Sequence, residues 1–237
     1  MTLYLYVKKE SHKKNLIPYI STLLVLTGVS ILSWVLFPII SFELNYGQKF
    51  GELIQPVPNK IIKTVLIDDL PQVLKTSNAD YTKVNTWFPK AVDIKVANSN
   101  NSYYYLSIPK LGINRANVLI GGDDLSKNLI HFTGAVPGSK EGGPVIFGHS
   151  TIPWLYNPLD YKTIFTKLPQ LDKGDEILVD FDNISFTYKI TDMKIVFPED
   201  LSVLDQDNSH QTITLITCVP PGTFLKRLII KGILVSI

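Results

Sequence analysis

The chain of 237 residues contains one cysteine and two methionines. A single thiol rules out an intrachain disulfide, so any fold must be held together by its own core. Net charge is only +2. No lysine and arginine cluster interleaved with aromatics occurs in the C-terminal half, so the electrostatic footprint of a nucleic-acid binder is missing. There is no internal repeat and no long low-complexity tract. Histidine is scarce, with four residues in all. Charge of either sign disappears completely between Lys14 and Glu43.

That uncharged run, "NLIPYISTLLVLTGVSILSWVLFPIISF", exceeds the roughly 20 apolar residues a membrane-spanning helix needs. A helix satisfies its own backbone polar groups, which makes it tolerable in lipid. Lys8, Lys9, Lys13 and Lys14 precede the run, and only Lys49 follows closely. The positive-inside bias puts residues 1–14 in the cytoplasm, a transmembrane helix at 15–42 and the remainder outside, a single-pass membrane protein. A cleaved signal peptide fits less well, because the run is too long for an h-region and no clean small-x-small site follows. The lone thiol then lies in an exported domain, where an unpaired cysteine points to reactivity or intermolecular pairing.

Residues 43–102 read as an extracytoplasmic spacer that could serve as a lid. They include the proline-rich "LIQPVPNK" and close on the polar "NSNNS". From Tyr103 to Ile237 strand signals dominate: "YYYLSIP", "NVLIG", "GPVIFGH", "DEILVDF", "ISFTYKITDMKIVFP" with a bulge, "TITLITC" and "RLIIKGILVSI". Helix candidates are few, namely "DDLSKNLIHF" and "YNPLDYKTIFTKLPQL". Short strands at regular spacing predict a mainly β domain, a closed or nearly closed barrel with a few short helices. The two final strands, apolar on both faces, belong at its centre.

Cys218 ends the strand "TITLITC", and His149 ends "GPVIFGH". If those strands run parallel as neighbours, the two ends meet. A nucleophilic cysteine needs its thiolate, and a nearby imidazole can take the proton. A turn through Pro220, Pro221 and Gly222 would bring the chain back antiparallel, with Arg227 beside Cys218 at about 5 Å, one strand spacing. A guanidinium there can stabilise a developing oxyanion. The plainer alternatives are a buried structural cysteine, a strand-capping histidine and a hairpin-capping arginine. His12 lies on the far side of the membrane, His210 reads as a solvated loop residue, and His131 suits a structural role.

These residues resemble the sortase family. "TLITC" followed by Arg227 is similar to the sortase pattern TLxTC…R. "LIHFTGAVPGSKEGGPVIFGHS" resembles the family's H-x-x-G-x-x-x-P-G…GH block, and "YLSIPKLGIN" its first strand and turn. The resemblance runs from about Tyr103 to Ile237. It implies an eight-stranded barrel and a membrane-anchored cysteine transpeptidase. Such an enzyme cleaves a sorting signal, often of Leu-Pro-x-Thr-Gly type, through a thioacyl intermediate. It then passes the acyl group to an amine of the cell wall or of another protein subunit. The partners implied are surface proteins bearing a C-terminal sorting signal. Carried over by position, Cys218 is the nucleophile and His149 the general acid/base. Arg227 stabilises the oxyanion or orients substrate, and Thr217 shapes the substrate site.

The resemblance implies no cofactor. Some sortases bind calcium near the loop corresponding to Glu199, Asp200, Asp205 and Asp207, but the spacing matches no calcium-loop motif. The Asp-Pro-aromatic motif of pilus-type lids is absent. Leu70-Pro71-Gln72-Val73 is similar to the start of a sorting signal, a match that is common by chance. The competing functions are a membrane-anchored cysteine protease that uses water as acceptor, and a non-catalytic peptide-binding barrel. L,D-transpeptidases are disfavoured by the missing Ser-His-Gly-Cys block. Papain-like enzymes are disfavoured by the order of His and Cys.

Overall fold

A computed structural model describes residues 17–50, 80–88, 102–140, 142–205 and 209–237. The chain divides into two compact units, Met1–Phe37 and Pro38–Ile237. The first unit carries most of helix α1, Ile17–Tyr46, and from Tyr19 to Phe37 every side chain is exposed. A helix apolar and exposed on every face over this length is compatible with a membrane anchor. The helix runs four residues past the predicted end at 42, with Pro38 inside it.

The second unit is a closed eight-stranded barrel. Its strands are β1 (Tyr103–Ile108), β2 (Ile113–Ile120), β3 (Leu129–Gly134), β4 (Pro144–Phe147), β5 (Glu176–Phe181), β6 (Ile184–Val196), β7 (Thr212–Val219) and β8 (Lys226–Ser236). The order around the barrel is β1-β2-β3-β4-β7-β8-β6-β5. The β2/β3 and β4/β7 pairs are parallel and the others antiparallel. β6 carries the irregularity its sequence suggested, a register shift between Ile190 and Asp192.

Side chains alternate across each strand and divide the apolar residues into two clusters. Leu129, Ile146, Leu215, Leu228 and Ile230 face the barrel interior, with Tyr104, Leu106, Val179 and Tyr188. Their neighbours Ile130, Phe132, Val145, Phe147, Ile216, Cys218 and Ile229 form a separate cluster on the outer face of β3, β4, β7 and β8.

Both predicted helix candidates turn out otherwise. Within "DDLSKNLIHF", Leu129 onward is β3, held between β2 and β4. Pairing on both edges and burial on both faces outweigh a weak helical period. "YNPLDYKTIFTKLPQL" is a series of turns ending in a single 3-10 turn at Leu168–Gln170. Pro158 and Pro169 help explain this, since proline breaks a helix interior.

Candidate active site

Strand register assembles the site. β4 and β7 pair in parallel as far as Phe147↔Ile216, so two residues further along each strand His149 and Cys218 lie at the same end of the barrel. In the antiparallel β7/β8 ladder Cys218 is paired directly with Arg227. Alternation then sets the face. Cys218 shares that of Ile216 and belongs to the outer cluster, Arg227 shares that of Ile229, and both Arg227 and His149 lie against Trp87 of the same cluster. Thr217 points the other way, is fully buried, and donates its hydroxyl to the Gly148 carbonyl at 2.8 Å. Gly148 has no room for a side chain, because a Cβ there would lie 2.4 Å from Phe165 and 2.6 Å from Leu129. Gly222 in the β7–β8 turn has φ +84°, and a Cβ would press on Ile152 at 2.6 Å. The two loops flanking the site therefore pack in direct contact.

The site is covered. Cys218 is 1% exposed, Arg227 2% and His149 9%. The cover is residues 80–88, part of the stretch assigned from sequence to the spacer. Trp87 is 0% exposed, with Phe88 and Val84 nearly so, and all three join the outer cluster. The Trp87 ring packs against His149 at 5.5 Å and edge-on to Phe147 at 5.7 Å. The Trp87 carbonyl accepts a hydrogen bond from Arg227 Nη2 at 2.9 Å. The guanidinium also lies 5.4 Å from the Trp87 ring and 5.9 Å from that of Phe88, within cation–π range. Tyr81 stacks on Phe224 of the β7–β8 turn at 4.1 Å. Backbone bonds from Val84 N to Asp123 O (3.1 Å) and from Leu125 N to Thr82 O (2.9 Å) fasten the segment to the β2–β3 connection.

Arg227 is a buried charge, which is tolerable only if its donors are satisfied. Nη1 donates to the carbonyls of Phe224 at 3.0 Å and Lys226 at 3.2 Å. Nε is buried without an acceptor among the described residues. Burial pushes the Cys218 thiol up to about 11, against the opposing pull of Arg227. It also pushes the His149 imidazole down to about 4, with Asp124 and Asp80 pulling up and Lys162 pushing down. In the covered state both groups are neutral at pH 7.

Residues 106–235 match the family described as the Sortase domain. This chain belongs to the sortase family. The sortases are cysteine transpeptidases whose chemistry needs no cofactor. Sortase D of Bacillus subtilis (strain 168) is 31% identical over 133 residues, 54% of this chain. The match spans 61% of that relative's length, less than two thirds. The pilus-related Sortase C of Group B Streptococcus superposes with TM-score 0.51 at 26% identity, covering 62% of this chain and 76% of that one. A lid mutant of Sortase A from Corynebacterium diphtheriae gives TM-score 0.50 at 26% identity, covering 66% and 78%. The sortase barrel is thus present with all eight strands.

Of the remaining sequence candidates, His131 lies on β3, 0% exposed, edge-on to Tyr104 at 5.9 Å and away from the outer face. His210 is exposed beside Ser209. Among the described residues no group of three or more His, Cys, Asp or Glu could hold a metal ion. Asp200 instead caps the 3-10 turn Leu201–Leu204 through Ser202, and Asp207 lies outside the described residues. So do Leu70-Pro71-Gln72-Val73 and all of "NSNNS" except Ser102. Sequence reading did not single out Trp87 and Phe88. The available signal was "TWFP", two large aromatics in an otherwise polar stretch, which would not stay in water without a partner.

Proposed function

We propose that the chain is a single-pass membrane transpeptidase with residues 1–14 cytoplasmic, the catalytic domain 103–237 outside, and Cys218 as its nucleophile. The observation that carries this is the direct Cys218↔Arg227 pairing, with Trp87 packed against both Arg227 and His149. The Cys218 thiolate attacks the scissile carbonyl of an LPxTG-like sorting signal, forming the C–S bond. Arg227 Nε–H, the donor left without an acceptor, suits the oxyanion. The intermediate collapses with loss of the leaving amine, which takes its proton from the His149 imidazolium. An acceptor amine then attacks the thioester, gives its proton to His149 and releases the thiolate. Thr217 acts on the substrate site indirectly, through the Gly148 carbonyl it holds. The acceptor is an amine of the cell wall or of another protein subunit, and the donors are surface proteins carrying the signal.

Residues 80–88 act as the lid of this site. Support comes from Trp87, whose carbonyl occupies Arg227 and whose ring covers His149. When the segment leaves, water returns, the desolvation penalty falls, and the thiol can pass its proton to the imidazole.

The test is mass spectrometry of the full chain incubated with a library of Leu-Pro-containing peptides. The expected result is a peptide acyl group on Cys218, transferred to added triglycine and absent in Cys218→Ala. Acyl transfer by Cys218→Ala would overturn the nucleophile. Release of free acid alone, unaffected by triglycine, would make the protein a protease.

A further inference from the structure

The β4/β7 ladder stops before it reaches the residues it brings together. Its last paired positions are Phe147 and Ile216, followed by one backbone bond from Gly148 N to Ile216 O at 3.1 Å. His149 and Cys218 lie beyond it, where β4 gives way to a loop and β7 continues to Val219. Two hydroxyls take over there. Thr217 Oγ1 reaches across from β7 to the carbonyl of Gly148, the residue before His149, at 2.8 Å. Ser150 Oγ, on the residue after His149, reaches back to the carbonyl of Cys218 itself at 2.6 Å. The two bonds run in opposite directions and bracket the histidine on both sides.

On its remaining sides His149 is held by contacts that do not involve the nucleophile strand. Its carbonyl accepts from Phe165 N at 2.9 Å, and Thr151 N donates to Thr166 Oγ1 at 2.9 Å. Trp87 holds the ring only while the segment 80–88 is in place. Once that cover is displaced, the two hydroxyl bonds and the single backbone bond from Gly148 N to Ile216 O are the described links between this segment and β7, and the Ser150 bond is the one that reaches the Cys218 residue itself.

We propose that Ser150 is a positioning residue for transpeptidation. Its hydroxyl ties the Cys218 carbonyl to the loop carrying His149 and keeps thiol and imidazole in register in the uncovered enzyme. Reacting groups misplaced by about 1 Å can lose on the order of 10² in rate, so a single tether is enough to matter. Ser150 is only part-buried, so its loss leaves the barrel core intact. The inference rests on the Cys218–His149 reading above.

The test uses the full detergent-solubilised chain in two assays. In the first, iodoacetamide alkylates Cys218, the sole thiol, at a series of pH values, followed by intact mass. Ser150→Ala should raise the pH midpoint of alkylation, because an imidazole out of register no longer supports the thiolate. Ser150→Thr, which keeps the hydroxyl, should restore the wild-type midpoint. In the second, a fluorogenic Leu-Pro-Glu-Thr-Gly peptide with triglycine should show kcat reduced about tenfold in Ser150→Ala with KM unchanged. An alkylation midpoint identical to wild type in Ser150→Ala overturns the proposal. So does a loss that Ser150→Thr fails to repair, or one that merely follows a lowered melting temperature. Cys218→Ala separates the two readings. If it is inactive while Ser150→Ala is normal, only the Ser150 role falls; if it is active, the nucleophile assignment falls first.

Discussion

Two histidines are buried in this barrel in different ways. His131 is enclosed by the barrel itself, against Tyr104, and is fully buried. His149 is buried by Trp87, which belongs to a separate segment laid over the outer face. Loss of water pushes both imidazoles down to about 4. The same shift therefore has two meanings. For His131 it is a fixed property of the fold. For His149 it describes the covered state, and under the proposed lid it relaxes when residues 80–88 leave. A perturbed pKa alone therefore does not tell a functional histidine from a structural one.

The largest effect should separate the two directly. His149→Ala is expected to reduce acyl transfer by about 10²–10⁴-fold, the usual share of a general acid/base. His131→Gln should leave the rate of the folded enzyme close to wild type. Steady-state kinetics on a sorting-signal peptide decides, and the reverse result would exchange the roles of the two histidines. Arg227→Ala comes next, with a loss on the order of 10²–10³-fold, as for a removed oxyanion donor. Arg227→Lys should not restore it, because an ammonium cannot reproduce the planar fork. A kcat in Arg227→Lys equal to wild type would show that charge alone suffices.

The cover can be tested on the thiol. Trp87→Ala should raise the alkylation rate of Cys218 at neutral pH by up to about a hundredfold, as the thiol falls from about 11 toward its ordinary value near 9. An unchanged rate would mean that residues 80–88 do not control access.

The smallest effect is on acid stability, and its sign follows from burial. Burial holds His131 and His149 down at about 4, below the ordinary 6.5, so at these two positions the unfolded chain takes up the proton first as pH falls. This contribution is fully present above 6.5 and is lost between 6.5 and 4. Under the proposed lid His149 accepts its proton by shedding the cover, whereas His131 has the barrel itself around it. His131→Gln should therefore remove on the order of 3 kcal/mol of the acid-side loss in denaturant unfolding. His149→Gln should instead reduce the acid-induced exposure of Trp87, read by its fluorescence. Equal effects of the two variants on global unfolding would erase the distinction between them.

Much of the fold is local and was legible. An uncharged apolar run makes a helix exposed on every face, and β-branched alternation makes strands, whatever else the chain does. Alternation also places Cys218 and Thr217 on opposite faces, and a short turn returns Arg227 to Cys218. β3 was misread because its type depends on neighbours on both edges rather than on its own period.

The sequence by itself thus determined the long apolar helix, the strand-rich domain and the three side chains proposed above to react. Tertiary structure decided what surrounds them. That Trp87 closes over His149 and Arg227 follows from a contact spanning 140 positions, which leaves no trace in any local pattern. Local periodicity records which face of a strand a residue occupies. The segment that covers that face, and with it the protonation state of the thiol and the imidazole, is set by packing between distant parts of the chain.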